Sequence, residues 1–239
     1  VTTKGEVILY NNKKISLTIP CYNEEKGIGN VLKKKPFFVD EVIIIDNNST
    51  DKTADVAKKY GATIVHEKKM GYGYAYLTGL PKAKGDIIVT LDGDNSYPLF
   101  ELEKMLSYME KGHYDFVVGC RYPLVHKNAQ PLINKIANYF VSWLIRVLFK
   151  INLIDSQSGL MVFKKEVLKK IKIQNTAMGF SQEIKIKAFL NPEIKCGEAR
   201  ISYLHRIGNT KFKKIDGIKN LYSVLLLFIE LKQKGKFTL

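Results

Sequence analysis

The sequence predicts an α/β fold with a mostly parallel central sheet and helices on both faces. Short β-branched runs alternate with longer helical patterns from about Ile15 onward. Some of those runs are apolar without interruption, as Val42 to Ile45 is, which suits a strand covered on both faces. Acidic and turn-forming residues follow directly on three of them, where an open α/β sheet presents its ligand.

The first run is Ile15 to Ile19, followed by Glu41 to Asp46, Ala62 to Val65, Asp86 to Leu91 and Asp115 to Val118. β-Branched side chains are stiff and pack well on a pleated surface, so these runs read as strands. After the second run, Ser49-Thr50-Asp51 opens a helix through Tyr60, because short polar side chains accept from the free N–H groups of a first turn. Gly61 caps it. Pro98 takes a first helical position before a helix to Lys111 that ends at Gly112.

Residues 131–150 predict a long helix. Ile133, Ile136, Ala137, Phe140, Val141, Leu144 and Leu148 form a core-like face, and Tyr139, Trp143, Arg146 and Lys150 form a second stripe. Another helix covers about 216–234, where Leu221, Leu225, Leu226 and Phe228 are flanked by lysines from Lys211 and Lys213 to Lys234 and Lys236. An apolar face edged by aromatic and basic residues fits a helix lying in a membrane interface, and also a helix packed on the sheet. The best apolar run, Leu221 to Ile229, is about half the ~20 residues a span needs, and Arg146 interrupts the next best. No membrane-spanning segment is therefore expected, and the polar stretch Val1 to Lys14 has no signal-like apolar region. No linker or repeat divides the chain, so one domain over 1–239 is expected, with halves at about 15–125 and 126–239.

With 46% hydrophobic and 26% charged residues, the chain of 239 is neither disordered nor collagen-like. Cys21, Cys120 and Cys196 are far apart and form no CxxC, which argues against a disulfide scaffold or zinc ribbon. Its 38 basic and 23 acidic residues give a net charge of +15, which points to a polyanionic partner. Neither a continuous basic patch nor an RNA-reading motif is present, so a phosphate-bearing substrate or an anionic membrane surface is expected rather than nucleic acid.

Three polar clusters carry chemistry. They are Pro20-Cys-Tyr-Asn-Glu-Glu25, Asp46-Asn-Asn-Ser-Thr-Asp51 and Leu91-Asp-Gly-Asp94. Carboxylates at the ends of buried strands are costly unless something there uses the charge. Asp92 and Asp94 are alternate residues leaving a strand, so both can reach one Mg²⁺ or Mn²⁺ that keeps waters and takes substrate phosphates. A solvated Asp-Gly-Asp turn is the plainer alternative. Asp46 can accept from the N–H edge of a base, and Tyr22 offers it an aromatic face. The turn Gly71-Tyr-Gly73 precedes a helix, so its N–H groups can meet a diphosphate. A dinucleotide fingerprint is not formed, because Tyr76 stands where its third glycine belongs and no such loop follows the first strand.

In order, Ile19-Pro-Cys-Tyr-Asn-Glu-Glu25, Ile44-Ile-Asp-Asn-Asn-Ser-Thr-Asp51, Gly71-Tyr-Gly73 and Leu91-Asp-Gly-Asp94 resemble the family 2 glycosyltransferases, which have the GT-A nucleotide-diphospho-sugar transferase fold. Val118-Gly-Cys-Arg-Tyr122, Asp155-Ser-Gln-Ser-Gly159 and the stretch from Tyr203 to Phe212 resemble one branch, the polyprenyl- or dolichyl-phosphate sugar synthases. The resemblance implies that Pro20, Tyr22, Glu24 and Asp46 hold base and ribose, with Gly71, Gly73 and Gly93 beside the donor. It implies that Asp92 and Asp94 carry Mg²⁺ or Mn²⁺ and the sugar diphosphate, and that Arg121, Ser158 and Arg206 bind the acceptor lipid phosphate. For Arg121 and Arg206 an ordinary ion pair is the alternative. The implied reaction is inverting transfer of a hexose or N-acetylhexosamine from a UDP- or GDP-sugar to polyprenyl or dolichyl phosphate at the cytoplasmic face, by a peripheral enzyme. A phosphate nucleophile is already ionised, so Glu24 and Glu183 are not assigned as bases. The chain departs from the branch at Met161, at Asn134 and Lys135, and at Ser96 in place of a longer amide. Rival readings are a transferase acting on a saccharide hydroxyl, a nucleotidyltransferase, and a basic membrane- or nucleic-acid-binding protein without catalysis.

Overall fold

The computed structural model describes residues 12–124, 126, 129–208, 210–211 and 214–235. Residues 1–11, Asn209, Phe212, Lys213 and Lys236, and the side chain of Lys214, lie outside the described residues. Seven strands, β1 (Ile15–Cys21), β2 (Glu41–Asp46), β3 (Thr63–His66), β4 (Ile87–Thr90), β5 (Phe116–Cys120), β6 (Met161–Lys164) and β7 (Cys196–Arg200), form one sheet in the order β3-β2-β1-β4-β6-β5-β7. All five expected runs are strands, and β6 and β7 are additional.

The sheet is mixed. β1 pairs in parallel with β2 and β4, β2 with β3, and β5 with β7, while β6 runs antiparallel to both β4 and β5. Six strands thus deliver their C-terminal ends, and reversed β6 its N-terminal end, to a single edge. Every polar cluster singled out in the sequence meets there.

Successive side chains alternate faces. Ile15, Leu17, Ile19, Val42 and Ile44 enter one core with helices α1 (Glu25–Lys33), α2 (Thr53–Lys59) and α4 (Glu101–Lys111). Ile43, Ile45, Ile88, Phe116 and Val118 enter the other with α3 (Tyr72–Gly79), α5 (Leu132–Phe149), α6 (Val167–Lys170), α7 (Phe180–Leu190) and α8 (Lys214–Gln233). The uninterrupted apolar run of β2 is therefore buried on both sides.

Two helix starts differ from expectation. α2 begins at Thr53, whose N–H donates to Asp51 Oδ1 at 2.9 Å, and the polar residues before it also lace two loops together. Ser49 Oγ accepts from the Asn23 N–H at 3.0 Å, and Asp51 Oδ2 from that of Glu25 at 3.2 Å. Pro98 forms a preceding turn, its carbonyl accepting from Glu101 N–H at 3.1 Å, and α4 starts three residues later than expected. Gly61, at φ +76°, and Gly112 end their helices as expected.

The core-like face assigned to α5 is only partly in the core, where Val141 and Leu148 pack. Ile133, Ile136 and Phe140 are 71%, 57% and 50% exposed, and the helix buries Ser142, Ile145 and Phe149 instead. The buried residues of α5 all lie in its C-terminal half, and the first half meets the segment after β5 through Asn138 and Tyr139, which contact Tyr122. A second correction concerns length. At 18 residues and mean hydropathy 1.2, α5 is long and apolar enough to cross a membrane by length and composition. Arg146 does not interrupt it as a bare charge, because its guanidinium donates to the Leu153 carbonyl at 3.3 Å.

Candidate active site

The loop after β1 and the loop after β2 form one polar shelf. Glu24 N–H donates to Thr53 Oγ1 at 2.8 Å, and Thr50 N–H to Asn23 Oδ1 at 2.8 Å. Half-buried Pro20 and Tyr22 stand at its edge. Asp46 ends β2 and is buried. Its carboxylate accepts from Ser49 N–H at 3.2 Å and lies 3.1 Å from His66 Nδ1, its register neighbour on β3. His66 was not foreseen; its position follows only from the pairing of β2 with β3.

Asp92 and Asp94 follow β4, side by side with Gly93, whose Cβ would lie 2.8 Å from Cys21 Sγ. Burial, and then repulsion by Asp94, push the Asp92 carboxyl up to about 7, against the pull of the Tyr72 hydroxyl, Arg121 and Arg206. Tyr72 Oη donates to Asp92 Oδ1 at 3.2 Å. Asp94 is held by Ser96, which gives its N–H at 3.0 Å and its hydroxyl at 2.5 Å to Oδ1. Ser96 therefore orients the carboxylate. Among the described residues no group of three or more His, Cys, Asp or Glu side chains is arranged to hold a metal alone. A pair of hard carboxylates, one short of a counter-charge, fits a divalent cation that completes its shell with waters and substrate phosphates.

Gly71 and Gly73 serve the fold in a way the sequence did not show. The N–H of Gly71 goes to Asn47 Oδ1, that of Gly73 to the Ala177 carbonyl and that of Tyr74 to the Thr176 carbonyl, at 2.9, 3.1 and 3.0 Å. These amides are taken up by acceptors of the protein itself, so they are not the free N–H groups expected beside a diphosphate. Glycine is required because a Cβ on Gly73 would stand 2.2 Å from the Asn175 carbonyl oxygen. Buried Glu183 braces the same loop, accepting from Asn175 N–H at 2.7 Å and pairing with Lys187 at 2.5 Å, consistent with its not being a base.

Arg121, leaving β5, is 4% exposed. Its Nε and Nη2 donate to the two oxygens of Asp155 at 2.7 and 2.8 Å, and its N–H to Oδ2 at 3.0 Å. The guanidinium also faces the rings of Tyr203 and Tyr122, 5.1 and 5.6 Å from their centroids. This is the ion pair that stood as the alternative for Arg121, with Nη1 its one guanidinium nitrogen not given to Asp155. Although burial raises carboxyl groups, the pair with Arg121 holds Asp155 below its usual range.

Asp155 opens the turn that leads to β6. Gly159 is fixed against β4, its N–H on Tyr97 Oη at 2.7 Å and its carbonyl on Thr90 Oγ1 at 2.9 Å. A Cβ there would lie 3.0 Å from both Asp92 oxygens, so this turn and the carboxylate pair are in contact. Ser158 is fully buried, and its hydroxyl has no hydrogen-bond partner in the structure. Beneath it, fully buried Lys185 of α7 donates to the Ser156 carbonyl at 2.7 Å and to Ser181 Oγ at 2.8 Å. Burial pushes the Lys185 amine down to about 7. Asp155 was not foreseen as the partner of Arg121, being remote in sequence, and Lys185 was not foreseen because it lies within a polar helix.

Beyond β7 the chain crosses the carboxylates as a strap. Leu204 N–H donates to the Ser96 carbonyl at 2.9 Å and Ile207 N–H to that of Asp94 at 2.7 Å. Arg206 Nη2 lies 3.2 Å from Asp94 Oδ2 and 3.7 Å from Glu24 Oε1, and Lys211 Nζ lies 3.3 Å from the same Glu24 oxygen. Burial raises the Glu24 carboxyl despite these cations.

A family model described as "Glycosyl transferase family 2" matches residues 16–172. The chain belongs to this family. As a family 2 member it is a glycosyltransferase, with the GT-A-like arrangement expected. A dolichyl-phosphate hexose transferase of Haloferax volcanii is 30% identical over 87% of this chain and 90% of its own length. A UDP-N-acetylglucosamine–dolichyl-phosphate N-acetylglucosaminyltransferase of Methanococcus voltae is 34% identical over 66% of this chain and 72% of its own. The low-salt glycan biosynthesis hexosyltransferase Agl6 of H. volcanii is 26% identical over 89% of the chain, which spans only 53% of that relative. Glucosyl-3-phosphoglycerate synthase from Mycobacterium tuberculosis, solved with Mn²⁺, UDP-glucose and phosphoglyceric acid, superimposes with a TM-score of 0.72 at 20% identity, covering 91% of this chain and 80% of its own. The same enzyme is also solved with Mg²⁺ and UDP. The strap lies beyond the family match.

Proposed function

We propose that this family 2 glycosyltransferase moves a hexose or N-acetylhexosamine from a UDP- or GDP-sugar to polyprenyl or dolichyl phosphate. One observation carries the reading: a carboxylate pair, a buried unpartnered hydroxyl and a cationic strap converge at one edge of the sheet. Residues 15–125 form the donor half, and 126–239 the acceptor half of the same domain. Pro20, Tyr22 and Asp46 hold the base and Glu24 the ribose, with His66 orienting Asp46. Asp92 and Asp94 hold Mg²⁺ or Mn²⁺, which when bound neutralises charge on the departing diphosphate.

The acceptor phosphate oxygen attacks the anomeric carbon as the bond to the diphosphate breaks, and the electron pair leaves with the nucleoside diphosphate. Displacement from the opposite face inverts the centre. No base is needed for an ionised nucleophile, so the protein's work is positioning and charge stabilisation. Ser158 and Arg206 take the acceptor phosphate, and Lys211 adds positive charge beside it. Arg121 is a positioning residue that fixes Asp155 and, through it, the turn bearing Ser158.

The lipid chain reaches the site along the exposed apolar faces of α5 and α8, which include Ile133, Ile136, Trp143, Ile218 and Ile229. With the basic residues around them, these faces suit peripheral binding to an anionic bilayer at the cytoplasmic side. The relatives named for dolichyl phosphate support the same acceptor.

The test is a transfer assay with radiolabelled UDP- and GDP-sugars, dolichyl phosphate and Mn²⁺ or Mg²⁺, counting label in the organic phase. Label from one donor is the expected result. Asp94→Ala is expected to lower it by about 100-fold or more, the scale of losing one transition-state electrostatic contact. Metal-dependent nucleotide binding without lipid labelling overturns the acceptor assignment, and full activity in excess chelator overturns the metal role.

A further inference from the structure

Arg206 has two tasks that it cannot perform at once. The proposed function gives it to the acceptor phosphate, while the structure sets it against Asp94 Oδ2 at 3.2 Å. That oxygen belongs to the carboxylate that would bind a divalent cation at about 2.1 Å. A guanidinium and a metal ion on the same oxygen are like charges in near contact, so they exclude one another. We infer that Arg206 is a resident counter-ion of the metal carboxylates, displaced when the cation arrives with the nucleotide, so that the acceptor-phosphate site is completed only after the donor is bound. This rests on the donor-site reading above.

The surroundings suit an exchangeable ion. Glu24 and Asp94 share the Arg206 guanidinium at 3.7 and 3.2 Å, so two acidic side chains from different loops face one cation and repel without it. A cation parked there relieves that repulsion, and a divalent one relieves more. Arg206 makes single contacts with Asp94 and Glu24 instead of a fork, and its side chain is 34% exposed, so release costs little. Its backbone need not move. Leu204 and Ile207 pin the strap to the main chain of the same loop, at Ser96 and Asp94. The freed side chain therefore stays within reach of the donor diphosphate's neighbour, the incoming phosphate.

The consequence runs against intuition: deleting a positive charge from the strap leaves a better metal site. Mn²⁺ binding is measured by electron paramagnetic resonance, without nucleotide, on the full chain and on folded variants checked by circular dichroism. Arg206→Ala is expected to bind Mn²⁺ about fivefold tighter than wild type, the scale of one half-exposed ion pair, and Arg206→Lys to match wild type. Equal or weaker binding by Arg206→Ala overturns the inference. Asp94→Ala separates the two readings. If it loses Mn²⁺ while Arg206→Ala is unchanged, the metal site stands and the counter-ion role falls. If Asp94→Ala binds Mn²⁺ like wild type, both fall. In a second arm, farnesyl phosphate is titrated with and without Mn²⁺ and UDP. Tighter binding in their presence, lost in Arg206→Ala, supports the order, and equal binding without them overturns it.

Discussion

Arg121–Asp155 and Arg206–Asp94 join the same two residue types at the same edge of the sheet, yet they are opposite in construction. The first is buried on both sides and doubly hydrogen-bonded, and its arginine also gives its backbone N–H to the aspartate. The second is one contact from a side chain that is a third exposed, and its aspartate is oriented by Ser96 without help from the arginine. Burial and multiplicity, rather than the identity of the partners, decide whether an ion pair is a fixture or a seat that another cation can take.

The largest effect is expected from breaking the buried pair. Asp155→Ala leaves Arg121 charged and unpaired in the interior and should destabilise the protein by about 3–5 kcal/mol, measured by urea unfolding. Replacing both residues with apolar ones, as Arg121→Met with Asp155→Leu, should recover much of that loss while disordering the Ser158 turn. A smaller effect concerns Lys185 beneath the same turn. Burial pushes its amine from the ordinary lysine value of 10.5 down to about 7 in the folded protein, so between those values the unfolded chain binds more protons. Stability from this group therefore rises with pH above about 7 and is lost as pH falls through that value. Wild type should gain about 1–2 kcal/mol from pH 7 to pH 9 relative to Lys185→Met, whose urea midpoint should be flatter in that range. The smallest effect is on the exposed pair. Arg206→Ala should change stability by about 0–1 kcal/mol, and any difference should shrink in high salt.

The part of this edge formed by β1, β2 and β4 was legible in the sequence, and the part formed by β5, β6 and β7 much less so. Strands β1, β2 and β4 announce themselves by local composition, and their carboxylates follow within a few residues. β7 reads Cys-Gly-Glu-Ala-Arg and is a strand only because it pairs with β5, some eighty residues earlier in the chain. α7 buries Ser181, Gln182, Glu183 and Lys185, so no apolar stripe marks it. Arg121 was found as a motif residue, but its partner lies 34 positions away and no spacing rule connects them. The glycines at 71 and 73 were noticed for their turn, but their packing against the remote 175–177 loop has no local signal.

The reversed strand β6 has a consequence for how such a protein can change. Because it enters the sheet backwards between β4 and β5, the turn carrying Ser158 reaches the edge from outside the parallel β3-β2-β1-β4 unit. That turn touches the unit through Gly159, which meets the Asp92 carboxylate, the Tyr97 hydroxyl and Thr90. With Ser158 and the strap holding the acceptor as proposed, acceptor preference is a cassette with a small joint. Grafting residues 155–159 together with the strap should reassign the acceptor while the nucleotide shelf stays as inherited, provided that the glycine at the joint is kept.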